Sequence, residues 1–213
     1  MKLIIGNKNY STWSLRPWFF MQAMGVTFEE QLVSLNSDNL KVSLSQFSPS
    51  AKVPVLVDKS LTVWDTLAIC EYVNEQYLEG SGWPRDKADR ALARSLTSEM
   101  HSGFSALRNE LPMNIRAKRQ VTLTNAAQAE LERIDDIWSA YHPKSGWLFD
   151  TFSIVDAFFA PVALRLPTYG IELSENAAAY QQKLLSHPNI IDWVEDAKKE
   201  REIVESDEAG LEI

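Results

Sequence analysis

Three short stretches of this chain combine residue types that can hold an anion or an extended peptide. The first is Tyr10-Ser11-Thr12-Trp13-Ser14-Leu15-Arg16, just ahead of an apolar run that reads as a helix. A helix N-terminus has free N–H groups and the positive end of the helix dipole, so a hydroxyl there can help to hold a thiolate. Taken alone, the loop reads first as one whose hydroxyls cap the helix. The second is Lys52-Val53-Pro54, entering a strand. A cis bond before Pro54 would turn the Val53 backbone outward for an extended peptide, and a trans proline at a strand start is the other reading. The third is Asp65-Thr66 at a helix start, where N–H groups and a hydroxyl can grip a carboxylate or simply cap.

The elements around these stretches follow from pattern. Leu3-Ile4-Ile5 reads as a buried strand ended by Gly6. Residues 14–24 read as a helix with Pro17 in its first turn and Gly25 as its stop. A second strand is expected over 28–35, giving a β-helix-β unit with parallel strands. A polar loop over 36–50 follows. Strands at 53–57 and 61–64, joined by the three-residue turn Asp58-Lys59-Ser60, predict an antiparallel hairpin. A helix capped by Asp65 then runs to about Tyr77. The order βαβ-ββα predicts an α/β thioredoxin-like domain over 1–78, with helices on both faces of its sheet.

Residues 79–85, rich in Gly and Pro, read as a linker, and 86–213 as an all-α helical bundle with no strand pair. Helices are expected over 86–111, 121–138, 157–166 and 189–201. Ser153 and Asp156 have capping-box spacing ahead of the third of these, and Pro161 could kink it. The acidic end, 202–213, reads as a loose tail.

Bulk composition narrows the function classes. The chain has 213 residues, 45% of them hydrophobic, and a net charge of −8. An acidic surface repels phosphate backbones and anionic membranes, so neither nucleic acid nor a membrane is an expected partner. No apolar run has the length of a membrane span, and no signal peptide is recognised. One cysteine, Cys70, allows no internal disulfide, which fits a reducing, cytoplasmic setting. The three histidines have no metal-ligand spacing, and His142 and His187 lie beside prolines in expected turns, so no metal is predicted.

Taken in order, the motifs resemble those of the cytosolic glutathione S-transferases over nearly the whole chain. The resemblance is carried by Ser11-Thr12-Trp13-Ser14-Leu15-Arg16, by Phe47-Ser48-Pro49-Ser50-Ala51-Lys52-Val53-Pro54-Val55-Leu56, and by Trp64-Asp65-Thr66-Leu67-Ala68-Ile69-Cys70-Glu71-Tyr72. The pair Ser153 and Asp156 matches a folding signature of the family's helical domain. The nearest members are the serine-type classes, zeta and theta. The zeta class has a cysteine where Trp13 stands.

The resemblance implies glutathione as co-substrate and Ser11 as the catalytic hydroxyl. Val53 beside a cis Pro54 would bind the cysteinyl backbone, and Asp65 with Thr66 the γ-glutamyl end. The family more often has Glu-Ser at that pair. Ala51 stands where related classes have a histidine for the glycyl end, and Lys52 is the neighbouring charge. Tyr10, Thr12, Trp13, His101 and Arg108 would wall the pocket of a small electrophile. Tyr10 is also the rival to Ser11, since other classes use a tyrosine near this loop. The implied activity is a detoxifying transferase, usually homodimeric. A glutathione-dependent isomerase and a non-catalytic glutathione-binding protein are the alternatives. Cys70 reads as an inert core residue.

Overall fold

A computed structural model describes residues 1–36, 40–141 and 145–213. The start of the expected 36–50 loop is thereby interrupted at 37–39, and the turn expected at His142 lies outside the described residues.

The first half is a four-stranded mixed sheet with helices on both faces. Strand β1 (Lys2–Gly6) leads into α1 (Thr12–Ala23) and β2 (Glu29–Val33), which pairs parallel with β1. A short helix α2 (Leu40–Ser45) precedes the hairpin β3 (Val55–Asp58) and β4 (Leu61–Trp64), and α3 (Thr66–Tyr77) closes the unit. The sheet order is β2-β1-β3-β4, with β3 antiparallel to β1. Side chains alternate across a strand, so each face of β1 has its own partners. Leu3 and Ile5 join Leu56 in the main core with α1 and α3, while Ile4 and Val55 meet Leu44 of α2.

Three local differences from the sequence reading have physical causes. Helix α1 starts at Thr12, so Pro17 falls beyond its first turn. A proline there cannot donate to the carbonyl four residues back. That carbonyl belongs to Trp13, and it accepts the Thr66 hydroxyl of α3 at 2.9 Å. The hairpin turn is tighter than expected, because Asp58 pairs with Leu61 and only Lys59 and Ser60 lie between. Helix α2 interrupts the polar loop, drawn in by the burial of Leu44.

The second half is helical. After a linker where Gly82 N–H bonds Asn74 Oδ1 at 2.7 Å, the chain forms α4 (Lys87–Ser102), α5 (Ser105–Glu110), a short strand β5 (Arg119–Gln120) and α6 (Asn125–Ala140). A Cβ at Gly82 would lie 2.7 Å from both Asn74 Oδ1 and Phe20, so this close approach requires glycine. Next come α7 (Ile154–Arg165), α8 (Glu175–Leu185), α9 (Pro188–Lys199) and a last strand, β6 (Leu211–Glu212). Helix α7 is buried along its whole length and packs on α1 and α4.

Here the structure corrects several expectations. The helix read as continuous over 86–111 breaks at Gly103 and Phe104, where Phe104 takes the left-handed conformation (φ 59°). Arg108 folds back over the break, its Nε donating to Gly103 O at 3.0 Å and its Nη2 to Met100 O. Helix α6 begins later than expected, because Thr124 caps it through Ala127 N–H. Helix α8 was not read from the sequence at all. A strand pair does exist in this half, β5 with β6. It ties down the segment expected to be a loose tail. Glu208 in that segment receives bonds from Tyr10 Oη (2.6 Å), Asn114 Nδ2 (2.9 Å) and Arg119.

Candidate active site

Two neighbouring clefts share Trp13, Lys52 and Val53 in their walls. The smaller, about 280 Å³, is lined also by cis-Pro54, Asp65, Thr66 and His101. The larger, about 370 Å³, is lined also by Tyr10, Ser11, Thr12, Arg108, Arg165 and Asp207. The sequence-predicted glutathione residues Lys52, Val53, Pro54, Asp65 and Thr66 therefore gather around the smaller cleft. Ser11, Tyr10, Thr12 and Arg108 line the larger one, Trp13 lines both, and His101 lies in the smaller.

In the smaller cleft the chemistry starts from the cap of α3. Asp65 Oδ1 accepts both Leu67 N–H (2.8 Å) and Ala68 N–H (3.2 Å). Its backbone φ of 75° turns the chain sharply from β4 into α3. The second oxygen, Oδ2, lies 3.4 Å from His101 Nε2 and is half exposed, leaving capacity for an ammonium group. Burial lowers the His101 pKa, partly offset by Asp65, so the imidazole is neutral near pH 7. Its ring meets Trp13 edge-on at 5.4 Å. Lys52 is exposed at the rim that the two clefts share.

Ser11 is the N-cap of α1 and is almost buried. Its hydroxyl donates to Ser14 Oγ at 2.7 Å, and Ser14 Oγ also accepts the Gly6 N–H at 3.1 Å. The two serines thus form a short chain rooted in β1. The capping bond from Ser14 N–H to Ser11 Oγ is long, at 3.4 Å. Tyr10 is bound elsewhere: its Oη donates to Glu208 and accepts from Arg116 Nη2 at 3.1 Å.

The larger cleft is strongly cationic on its helical side. Arg165, at the end of α7, lines it, as does Arg108 of α5. A third guanidinium, Arg16, lies behind Trp13, 4.3 Å from its ring, and Arg108 is 4.8 Å from the same ring. Burial lowers the pKa of all three, Arg16 well below its ordinary value and Arg165 to about 9, and the charge of Arg108 pushes both of these the same way. Sequence reasoning missed Arg165 and Asp207. The one signal for Arg165 was a charge ending a long apolar run.

Cys70 is fully buried in α3, and burial pushes its thiol well above the ordinary value. It should not react with a thiol reagent in the folded protein and should release one equivalent on unfolding. A disulfide-exchange colour assay before and after denaturant reads this directly, and rapid reaction of the native protein would contradict the burial.

Residues 10–76 match the family described as glutathione S-transferase, N-terminal domain. That span holds Ser11, Val53, Pro54 and Asp65, the residues that frame both clefts. The N-terminal domain belongs to the glutathione S-transferase family. The likeness continues beyond the glutathione S-transferase domain. The chain is 27% identical over 173 residues to a probable maleylacetoacetate isomerase of Caenorhabditis elegans, covering 78% of this chain and 81% of the relative. It is 23% identical over 150 residues to a stringent starvation protein A homolog of Haemophilus ducreyi, covering 70% and 68%. A solved glutathione transferase homolog from Burkholderia, with bound glutathione, has the same fold at a TM-score of 0.72 and 24% identity, covering 93% of this chain and 98% of that one. The chain thus has a glutathione S-transferase fold, a thioredoxin-like domain followed by a helical one.

Proposed function

We propose that the protein is a glutathione transferase: it binds glutathione in the smaller cleft, holds its thiolate on Ser11 and adds it to a small electrophile in the larger cleft. The observation that carries this reading is Ser11 at the N-cap of α1, in the wall of a cleft that adjoins a second one built on the cap of α3. Glutathione has two carboxylates and one ammonium. Asp65 Oδ2 suits the ammonium, the Thr66 N–H at the start of α3 the adjacent carboxylate, since the Thr66 hydroxyl already donates to Trp13 O, and Lys52 the distal one.

The energetics are adequate. A free thiol has a pKa near ~8.5, and lowering it by about two units needs ~2.7 kcal/mol of preference for the thiolate. One hydroxyl donor to an anion contributes roughly 1.5–3 kcal/mol. The helix terminus adds about 0.3–1 kcal/mol. For Ser11 to donate to sulfur, its proton must leave Ser14. Hydroxyl rotors turn readily, and Ser14, still accepting from Gly6, can then donate to Ser11 across the same 2.7 Å. The glutathione sulfur is the nucleophile. It forms a C–S bond as the electrophile either loses a leaving group with its electron pair or, in an addition, takes up a proton at the adjacent atom.

By this reading residues 1–78 bind glutathione, 79–85 link, and 86–213 complete the electrophile site. A cytoplasmic homodimer fits the resemblance, and the exposed apolar residues Leu61, Trp64, Tyr77 and Leu92 on β4, α3 and α4 are candidates for its contact. A glutathione-dependent isomerase, in which the thiol adds and later leaves, is the second reading. It is favoured by the likeness to the maleylacetoacetate isomerase.

The test is a pH titration of thiolate absorbance for glutathione mixed with the protein, beside Ser11→Ala. Ionisation about two units below the free thiol, lost in the variant, supports the reading. Binding without ionisation would point to a non-catalytic glutathione-binding protein, and no binding would overturn the site itself.

A further inference from the structure

The larger cleft contains more positive charge than the thiol chemistry uses. Arg165 is 3% exposed, and its Nε and Nη1 have no hydrogen-bond partner among the described residues. Arg108 satisfies Nε and Nη2 on backbone carbonyls, but its buried Nη1 is also unpartnered. Neither arginine forms an ion pair within 4.0 Å among the described residues. The charge of Arg108 acts on Arg165, and both act on Arg16. Buried cations left without partners are costly, and a fold keeps them at a cleft where something else completes them. The guanidinium fork matches a carboxylate in shape and in hydrogen-bond direction.

One acidic group lines the cleft beside this pair, while Glu130 acts on Arg108 from α6, outside the lining. Asp207 comes from the segment between α9 and β6, lines the same cleft, and has its pKa raised by burial. It acts on Arg165 electrostatically without closing to an ion pair. Within the lining, the two guanidinium groups and Lys52 stand against the one carboxylate of Asp207, which leaves positive charge for the carboxylate of a ligand.

We propose that the larger cleft selects electrophiles that carry a carboxylate, held by Arg165 and Arg108 across from Ser11. This rests on the proposed transferase reading only in calling the ligand an electrophile. The anion subsite itself stands on the arginines. Asp207 tunes the subsite by opposing the bound anion, so the C-terminal segment acts in selectivity as well as in closing the fold. The apolar lining from Pro112 and Met113 would receive the rest of the molecule.

The test uses an unreactive matched pair, 4-nitrobenzoate and 4-nitrobenzamide, titrated against the intact protein by calorimetry, with glutathione affinity measured separately. The carboxylate should bind at least about tenfold more tightly than the amide, the scale of one charge-assisted hydrogen bond. Arg165→Met should abolish that preference and leave glutathione affinity within about twofold, a change too small for a lost contact. Asp207→Asn, a conservative change in a half-buried segment, should strengthen carboxylate binding several-fold and leave the amide unchanged. This second variant keeps the proposal testable where Arg165→Met fails to fold.

Equal binding of the pair, or a preference untouched by both variants, overturns the proposal. So does a loss of glutathione affinity in Arg165→Met with nitrobenzoate binding intact, which would give Arg165 to glutathione instead. A protein that binds nitrobenzoate selectively but no glutathione would refute the transferase reading and keep the anion subsite.

Discussion

Ser11→Ala should lower turnover with a small electrophile by about ten- to a thousandfold, the scale for losing one donor to a developing or resting anion. Glutathione affinity should change far less, because Asp65 and Thr66 line the neighbouring cleft, Lys52 and Val53 the wall that both clefts share, and none of them is altered. The pH profile separates a chemical role from a structural one. In the native enzyme the rate should fall below the depressed thiol pKa, near ~6.5, while in the variant the fall should move up towards ~8.5. A variant with lower turnover and an unmoved profile would show only that the loop had shifted. Unchanged turnover would pass the role to a neighbour, and the geometry ranks the neighbours. Tyr10 is engaged with Glu208 and Arg116, so recruiting it means breaking the contact that fixes the C-terminal segment. Ser14 is fully buried behind Ser11. Ser14→Ala should therefore produce a smaller loss of rate together with a loss of stability, since the Gly6 N–H would lose its acceptor.

The sequence made much of this visible because its signals are local. The apolar run Leu3-Ile4-Ile5, the cap at Asp65 and the loop around Ser11 each act within a few residues, and the sheet with its two clefts follows from them. What escaped notice depends on partners far along the chain. The acidic C-terminal segment looked loose by composition, yet Glu208 is held by Tyr10, 198 positions away, and by Asn114 and Arg119. The break between α4 and α5 rests on Gly103, where a Cβ would come within 2.8 Å of Glu99 O, and on Arg108 folding back over it. The anion subsite was the least legible part. The sequence places Arg108 in the expected wall of the electrophile pocket, but nothing local says that α7 delivers Arg165 to the same cleft or that Asp207 arrives from the far end. The proposed tripeptide site is thus written in motifs, and the proposed electrophile site in the packing of helices.

That packing hangs on one carboxylate. Asp156→Ala should destabilise the protein by roughly 3–6 kcal/mol, because several buried donors would lose their acceptor at about 1–3 kcal/mol each. Asp156 accepts Ser153 N–H at 2.9 Å, Leu148 N–H at 3.1 Å and Tyr180 Oη at 3.0 Å, with Ser153 Oγ at 3.3 Å. It seats the first turn of α7, ties α8 to it, and anchors the approach from Leu148. Even with these bonds, burial raises its carboxyl pKa to about 6. An unfolded aspartate titrates near ~3.9, so between about pH 4 and pH 6 the folded state binds more protons than the unfolded one. Stability owed to this group is therefore fully present below that window and falls as pH rises through it, by an amount on the order of 3 kcal/mol. Denaturant unfolding of both proteins at pH 4.5 and pH 7.5 checks the sign: the advantage of the native protein over Asp156→Ala should shrink at the higher pH. An advantage that grows with pH would mean that the four donors outweigh burial and hold the carboxylate ionised. Either way, the variant that folds should have weakened nitrobenzoate selectivity before it loses glutathione binding, because α7 carries both Arg165 and the Phe158 carbonyl that holds Arg16 at 3.2 Å.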